Sequence, residues 1–149
     1  MTEGERRQLR SSPQIDPSQY SATTSSSRLH SFGYALSGCA YMLFHQKNTR
    51  ILLAATLAVL AVGLWLGIET DDWATLVLTI GIVWIAEFLN AAIEASVNLA
   101  TPDIHPMAKV AKDVAAGAVL IAAFVALVVG LLVLGPPLAA KISAGAATG

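Results

Sequence analysis

Residues 51–68 read ILLAATLAVLAVGLWLGI, an apolar run without a charged side chain. A helix over this run rises about 1.5 Å per residue and reaches about 27 Å, just enough to cross the roughly 30 Å hydrocarbon core of a bilayer. Trp65 lies near one end of the run, and aromatic side chains favour the membrane–water interface. The run therefore predicts a transmembrane helix.

Two further apolar segments follow this helix. The second spans about residues 73–98, and the third spans about residues 106–134, where Gly-Pro-Pro at 135–137 predicts the end of the helix. The loop at 69–72 is short and acidic, so the second helix must run antiparallel to the first. We expect an all-α membrane protein with three transmembrane helices.

The N-terminal part of the chain differs from this pattern. Residues 1–28 are rich in Ser, lack a helical period and predict a disordered cytoplasmic tail. Residues 29–47, LHSFGYALSGCAYMLFHQK, repeat apolar side chains at helical spacing between basic flanks, which predicts an amphipathic helix in the membrane interface. A short helix packed against the bundle is the alternative. The membrane domain then covers 29–138, and a short flexible tail covers 139–149.

The composition agrees with a membrane protein and excludes other classes. Hydrophobic residues make up 55% of the chain and charged residues only 13%, against roughly 25% charged residues in soluble domains. A net charge of −1 gives no electrostatic basis for binding nucleic acid. Cys39 is the single cysteine, so the chain has neither a disulfide framework nor a thiolate metal site.

The basic residues indicate the orientation of the helices. Lys47 and Arg50 precede the first transmembrane helix and Lys109 and Lys112 begin the third, whereas the loop at 69–72 has no basic residue. Positive charges favour the cytoplasmic side, so we expect the N-terminus inside and the C-terminus outside the membrane. The polar ends of all three helices then meet on the cytoplasmic side.

Four polar residues interrupt the second transmembrane helix and form what we call the acidic stripe: Glu87, Asn90, Glu94 and Asn98. At 100° per residue they fall within about 80° of one another, on one face of the helix. A carboxylate in a membrane helix is costly unless it faces protein or water. The acidic stripe therefore predicts a site that holds a divalent cation and supplies a base. A polar network that only holds helices together, or a proton relay, is the alternative.

The third helix begins with a basic patch that has one acid beside it: His105, Lys109, Lys112 and Asp113. We expect Thr101 or Asp103 to cap this helix. Cations at a helix N-terminus suit phosphate groups, although the ordinary bias of basic residues toward the cytoplasmic side explains Lys109 and Lys112 equally well. The sequence contains no Walker A motif and no protein-kinase motif, so any nucleotide chemistry uses another scaffold.

Two segments carry a resemblance to a known family. Residues 86–99, AEFLNAAIEASVNL, resemble the E-x-x-N-[ST]-x-x-E-x-x-[VA]-D signature of the small prokaryotic diacylglycerol kinases. Residues 105–120, HPMAKVAKDVAAGAVL, resemble the second block of that family, in the version of its undecaprenol kinase branch. The resemblance covers residues 31–138. It implies a homotrimeric lipid kinase that uses ATP and Mg²⁺ to phosphorylate diacylglycerol or undecaprenol.

The resemblance also implies roles for single residues. Glu87 corresponds to the general base that deprotonates the lipid hydroxyl, and Glu94 and Gln46 correspond to metal-binding positions. The nucleotide-binding positions of the family correspond to Tyr34, Asn90, Asp103, His105, Lys112 and Asp113.

Three positions depart from the family pattern. Gln46 replaces a metal-binding carboxylate, Ala91 replaces a Ser or Thr, and Asn98 replaces the last Asp of the signature. Because two acidic groups become neutral amides, a catalytically weak relative that acts as a membrane scaffold is the alternative to an active kinase.

Overall fold

The computed structural model describes residues 28–100 and 105–146, and every regular element within them is an α-helix. The elements are α1 (Arg28–His45), α2 (Lys47–Leu66), α3 (Thr70–Ala100) and α4 (Pro106–Ala146). The last three are long and apolar enough to cross a membrane. The prediction of an all-α membrane protein with three spanning helices is thereby confirmed.

The described chain forms two structural units, residues 28–41 and residues 42–146. The first unit is the larger part of α1, which confirms a helix before the spanning segments. Its apolar side chains are exposed, with Leu29 at 82% and Phe32 at 65%. Such a surface is what an interfacial helix needs. The tail predicted for residues 1–28 lies outside the described residues, except for Arg28, which begins α1.

The junction between α1 and α2 corrects the predicted end of the first helix. Gln46 was expected inside one helix over 29–47, but it separates α1 from α2 in an extended conformation, with φ −98° and ψ 117°. Its N–H donates to the carbonyl oxygen of Met42 at 3.0 Å, and its side chain makes no capping hydrogen bond. The side-chain amide of Gln46 is therefore not used to cap α2.

The turn between α2 and α3 depends on two glycines. Gly67 is left-handed, with φ 69°, and its N–H donates to the carbonyl oxygen of Gly63 at 3.0 Å, as is usual at helix C-termini. Gly63 is buried because the Trp73 ring lies 2.9 Å from where a Cβ would stand. The turn brings α3 back antiparallel to α2, as predicted. Helix α3 begins at Thr70, earlier than the predicted residue 73, because the acidic side chains of Asp71 and Asp72 favour the first turn of a helix.

Helices α3 and α4 form the main packing of the second unit. Leu76 and Val83 on α3 are buried, and the buried residues of α4 are the small side chains of Ala115 and Ala122. Small residues let membrane helices approach closely. Most large apolar side chains of the bundle stay exposed, as expected of a surface covered by lipid or by other chains.

Helix α4 is longer than predicted. Gly-Pro-Pro at 135–137 does not end it, since the helix continues to Ala146 and includes most of the predicted tail at 139–149. Neighbouring groups in membrane proteins compensate for the hydrogen bonds that prolines remove. Beyond the prolines, Lys141 Nζ donates to the Trp65 carbonyl oxygen at the C-terminal end of α2 at 2.5 Å and lies 4.5 Å from the centre of the Trp65 ring. These contacts attach the last turns of α4 to the end of α2.

Candidate active site

The acidic stripe changes from buried to exposed along α3. Glu87 is buried, with 5% of its surface exposed, and Asn90 is half-buried. Glu94 and Asn98, nearer the C-terminal end of the helix, are exposed. The stripe therefore leads from the interior of the bundle toward the polar end of the helices.

The burial of Glu87 follows from its position on α3. Leu76, Val83 and Glu87 are spaced so that they share one face of the helix, the face that packs inside the bundle. Glu87 makes no hydrogen bond or ion pair with any residue in 28–100 or 105–146. A charged group in a mostly buried residue is costly when it has no partner. Packing alone does not explain a carboxylate at this position, and charged groups in such surroundings are typical of functional sites.

Glu94 is the second carboxylate of the stripe, two turns or about 10 Å along the axis from Glu87. Among the described residues, no three His, Cys, Asp or Glu side chains converge on a possible metal position. A Mg²⁺ ion commonly uses one or two carboxylates together with substrate phosphates. The exposed Glu94 fits this use, as one carboxylate that a metal–nucleotide complex can reach.

His105 caps α4, the role that the sequence assigned to Thr101 or Asp103. Its Nδ1 accepts a hydrogen bond from the Met107 N–H at 3.2 Å, and its carbonyl oxygen accepts one from the Lys109 N–H at 3.1 Å. Because Nδ1 is the acceptor, Nε2 carries the proton when the ring is neutral and can act as a donor. The residues at 101–104, including Asp103, lie outside the described residues.

The two lysines of the basic patch have different partners. Lys112 Nζ donates to Asn98 Oδ1 at 2.6 Å and so joins α4 to the acidic stripe. Lys109 instead forms an exposed ion pair with Asp113, one turn further along α4. The structure thus brings Lys112 to the stripe, whereas Asp113 pairs with Lys109 on the exposed surface of α4. Tyr34 is exposed on α1, in the first unit, and its expected role stays a prediction.

Two aromatic residues near Glu87 were missed by the sequence reasoning. Trp84 Nε1–H donates to Thr56 Oγ1 on α2 at 3.0 Å. The Trp84 ring also lies 6.1 Å from the Phe88 ring, centre to centre. A tryptophan far from either end of an apolar helix was the available signal, because its N–H needs an acceptor inside the membrane.

A groove of about 320 Å³ lies between α3 and α4, beside the acidic stripe. Its walls are apolar except for Asn90, and its lining residues are Ile82, Ile85, Ala86, Leu89, Asn90, Ile93, Ala115 and Ala118. A groove of this kind can accommodate a hydrocarbon chain while a polar group reaches the stripe.

Fold and site together define an integral membrane protein with polar side chains gathered at one end of its helices. The family model for prokaryotic diacylglycerol kinases matches residues 33–134, and the chain belongs to this family. The resemblance seen in the sequence is thus confirmed.

The similar proteins include both diacylglycerol kinases and an undecaprenol kinase. The chain is 44% identical over 111 residues to a diacylglycerol kinase of Synechocystis sp., covering 74% of this chain but only 63% of that relative. It is 41% identical over 93 residues to the undecaprenol kinase of Bacillus subtilis, covering 62% of this chain and 76% of the relative. A diacylglycerol kinase of Escherichia coli is 34% identical over 91 residues, which is 61% of this chain and 70% of the relative. Similar identities to both kinds of kinase do not distinguish between the two lipids.

Proposed function

We propose that this protein is an ATP-dependent membrane lipid kinase that phosphorylates the hydroxyl group of diacylglycerol or undecaprenol. The observation that carries the proposal is Glu87, a mostly buried residue whose carboxyl group has no partner among the described residues, on the stripe that Lys112 joins through Asn98. A base and a cation at one polar helix end are what transfer of a phosphoryl group to an alcohol requires. Family membership and the names of the relatives support the same activity.

In the proposed reaction, Glu87 accepts the proton of the lipid hydroxyl. The hydroxyl oxygen then forms a bond to the γ-phosphorus of ATP as the bond to the ADP oxygen breaks. Lys112 offsets negative charge on the transferring group. The apolar groove beside Asn90 gives the hydrocarbon part of the lipid a surface next to the stripe.

ATP is proposed to contact the residues around the start of α4. The Nε2–H of His105 and the ammonium group of Lys112 are potential donors for phosphate oxygens. The complete set of proposed nucleotide-binding residues is Tyr34, Asn90, Asp103, His105, Lys112 and Asp113.

We propose Mg²⁺ as the metal, held by Glu94 and by the side-chain oxygen of Gln46. When bound together with ATP, Mg²⁺ neutralises charge on the phosphates. Gln46 is half-buried at the break between α1 and α2, and its side chain is not used for capping. An amide oxygen can ligate Mg²⁺ but adds no charge, so metal affinity is expected to be weak.

The direct test incubates the purified full-length protein with labelled ATP, Mg²⁺ and a panel of membrane lipids, and then separates the products. The panel includes diacylglycerol, undecaprenol and a phospholipid that has no free hydroxyl group at the interface. We expect label on one of the first two lipids and none on the third. If no lipid acquires label, the protein is not a lipid kinase and the scaffold alternative stands.

Replacement of Gln46 by Glu is expected to strengthen metal binding. One extra charge-assisted contact is worth about 1–2 kcal/mol, on the order of tenfold in affinity. The Mg²⁺ concentration for half-maximal activity should fall accordingly, with little change in the apparent affinity for lipid. Asn48→Asp adds the same charge two residues away, at an exposed position, and serves as the control. An equal response in both variants, or none in Gln46→Glu, would place Gln46 outside the metal shell.

The proposed assembly is a homotrimer. A single chain leaves Glu94 and Asn98 of the acidic stripe exposed, so neighbouring copies are expected to cover these polar groups. Mass measurement in mild detergent, combined with activity of the same fractions, should find turnover in the trimer. Activity confined to monomers would reject this assembly.

The proposed location is the bacterial inner membrane, with the N-terminus in the cytoplasm. Single cysteines replace Thr70 or Ser143 in a Cys39→Ser background, because Cys39 is exposed and would itself react. We expect each new cysteine to react with an impermeant reagent added from outside intact cells. In the wild-type protein, Cys39 should react with the same reagent only after lysis. If Thr70→Cys reacts only from the cytoplasmic face, the proposed orientation is wrong.

A further inference from the structure

Trp84 occupies an unusual position for a tryptophan in a membrane helix. It lies one turn before Glu87 on α3, far from both helix ends, whereas tryptophans favour membrane interfaces. Its indole N–H donates to Thr56 Oγ1 on α2 at 3.0 Å. Water is scarce at this depth, so donor and acceptor depend on each other and form a specific connection between α2 and α3.

The connection extends to the immediate neighbour of Glu87. Phe88 packs against Trp84 with ring centres 6.1 Å apart and planes inclined by 50°. At 100° per residue, Trp84 and Phe88 stand about 60° and 100° from Glu87 around α3, both on the same side. The hydrogen bond to Thr56 identifies this side as the one toward α2.

The groove occupies the opposite side of Glu87. Asn90, Ala86 and Ile93 line it and stand about 60° to 120° from Glu87 in the other direction around α3. A small rotation of α3 would move Glu87 toward one side or the other. The Thr56–Trp84 hydrogen bond opposes such a rotation, since it joins the α2 side of α3 to a fixed point on α2.

We propose that Thr56 and Trp84 are positioning residues for Glu87, which hold α3 at the rotation that keeps Glu87 mostly buried, between the α2 side of the helix and the groove. Neither residue touches the reacting atoms, and both act through the placement of Glu87. The inference rests on the proposed function, in which Glu87 is the base. Proton transfer depends steeply on geometry, so loss of the hydrogen bond should reduce the rate of the chemical step more than substrate binding.

The test compares variants of the full-length protein under the assay conditions that give product. Thr56→Val removes the acceptor at nearly constant shape, Thr56→Ser retains it, and Trp84→Phe retains a ring but loses the donor. We expect kcat to fall about tenfold in Thr56→Val and Trp84→Phe, with KM for ATP within about twofold and Thr56→Ser close to wild type. The double variant Thr56→Val/Trp84→Phe should be no worse than either single variant, because both remove one interaction.

A second readout follows the hydrogen bond without using activity. The chain has three tryptophans, and the indole N–H resonance of Trp84 is the one that Trp84→Phe removes from the NMR spectrum. This resonance should shift and exchange faster in Thr56→Val but not in Thr56→Ser. An unchanged resonance, equal loss of kcat in the Val and Ser variants, or additive losses in the double variant would overturn the positioning role. Absence of turnover in the wild type would instead overturn the proposed function itself.

Discussion

Glu87→Gln is expected to reduce phosphoryl transfer by about 10² or more, the usual contribution of a general base. The amide has nearly the shape of the carboxyl group but does not accept the proton of the lipid hydroxyl. Folding should be preserved, since no described residue pairs with Glu87 and no ion pair is lost. Turnover of labelled ATP with the reactive lipid measures the loss, and circular dichroism in detergent checks the helices.

Glu69→Gln is the matched control for this change. It removes the same charge from an exposed position in the turn before α3, far from the acidic stripe. We expect its turnover to stay within about twofold of wild type. Near-normal turnover of Glu87→Gln would instead assign the carboxylate a purely structural role and reject the proposed mechanism.

Lys112→Met is expected to lower turnover by about 10²–10³, the range for losing one group that stabilises charge in a transition state. The substitution removes the cation proposed for the γ-phosphate and the hydrogen bond to Asn98 together. Asn98→Ala separates these contributions, because it removes the hydrogen bond and leaves the charge. Its loss of turnover should be clearly smaller. Both variants are assayed at saturating ATP and lipid.

Lys141→Met is the matched control on the same helix. Lys141 lies at the far end of α4, where it contacts Trp65 and no residue of the proposed site. Its replacement should lower thermal stability in detergent while turnover at low temperature stays near wild type. Equal losses of turnover in Lys112→Met and Lys141→Met would show that the charge of α4, and not the position of Lys112, matters.

The local pattern of the chain was sufficient to predict most of the helices and the acidic stripe. Apolar length determines which segments can span a bilayer, and the fixed rotation of 100° per residue places Glu87, Asn90, Glu94 and Asn98 on one face without knowledge of any neighbour. The boundaries were harder to predict, because they depend on competing local effects. Gln46 interrupts the first predicted helix, and His105 caps α4 from a position where a histidine is not the expected residue.

The sequence by itself therefore determined the fold class, the three spanning segments, the stripe and the family. Only the tertiary structure decided which side chains of different helices meet. Lys109 and Lys112 look equivalent in the sequence, yet one pairs with Asp113 on its own helix and the other reaches Asn98 on α3. Two further contacts also join different helices: the Thr56–Trp84 hydrogen bond, and the contact of Lys141 with Trp65 beyond two prolines. Such contacts depend on how whole helices pack, and helical periodicity contains no information about distances between residues of different helices.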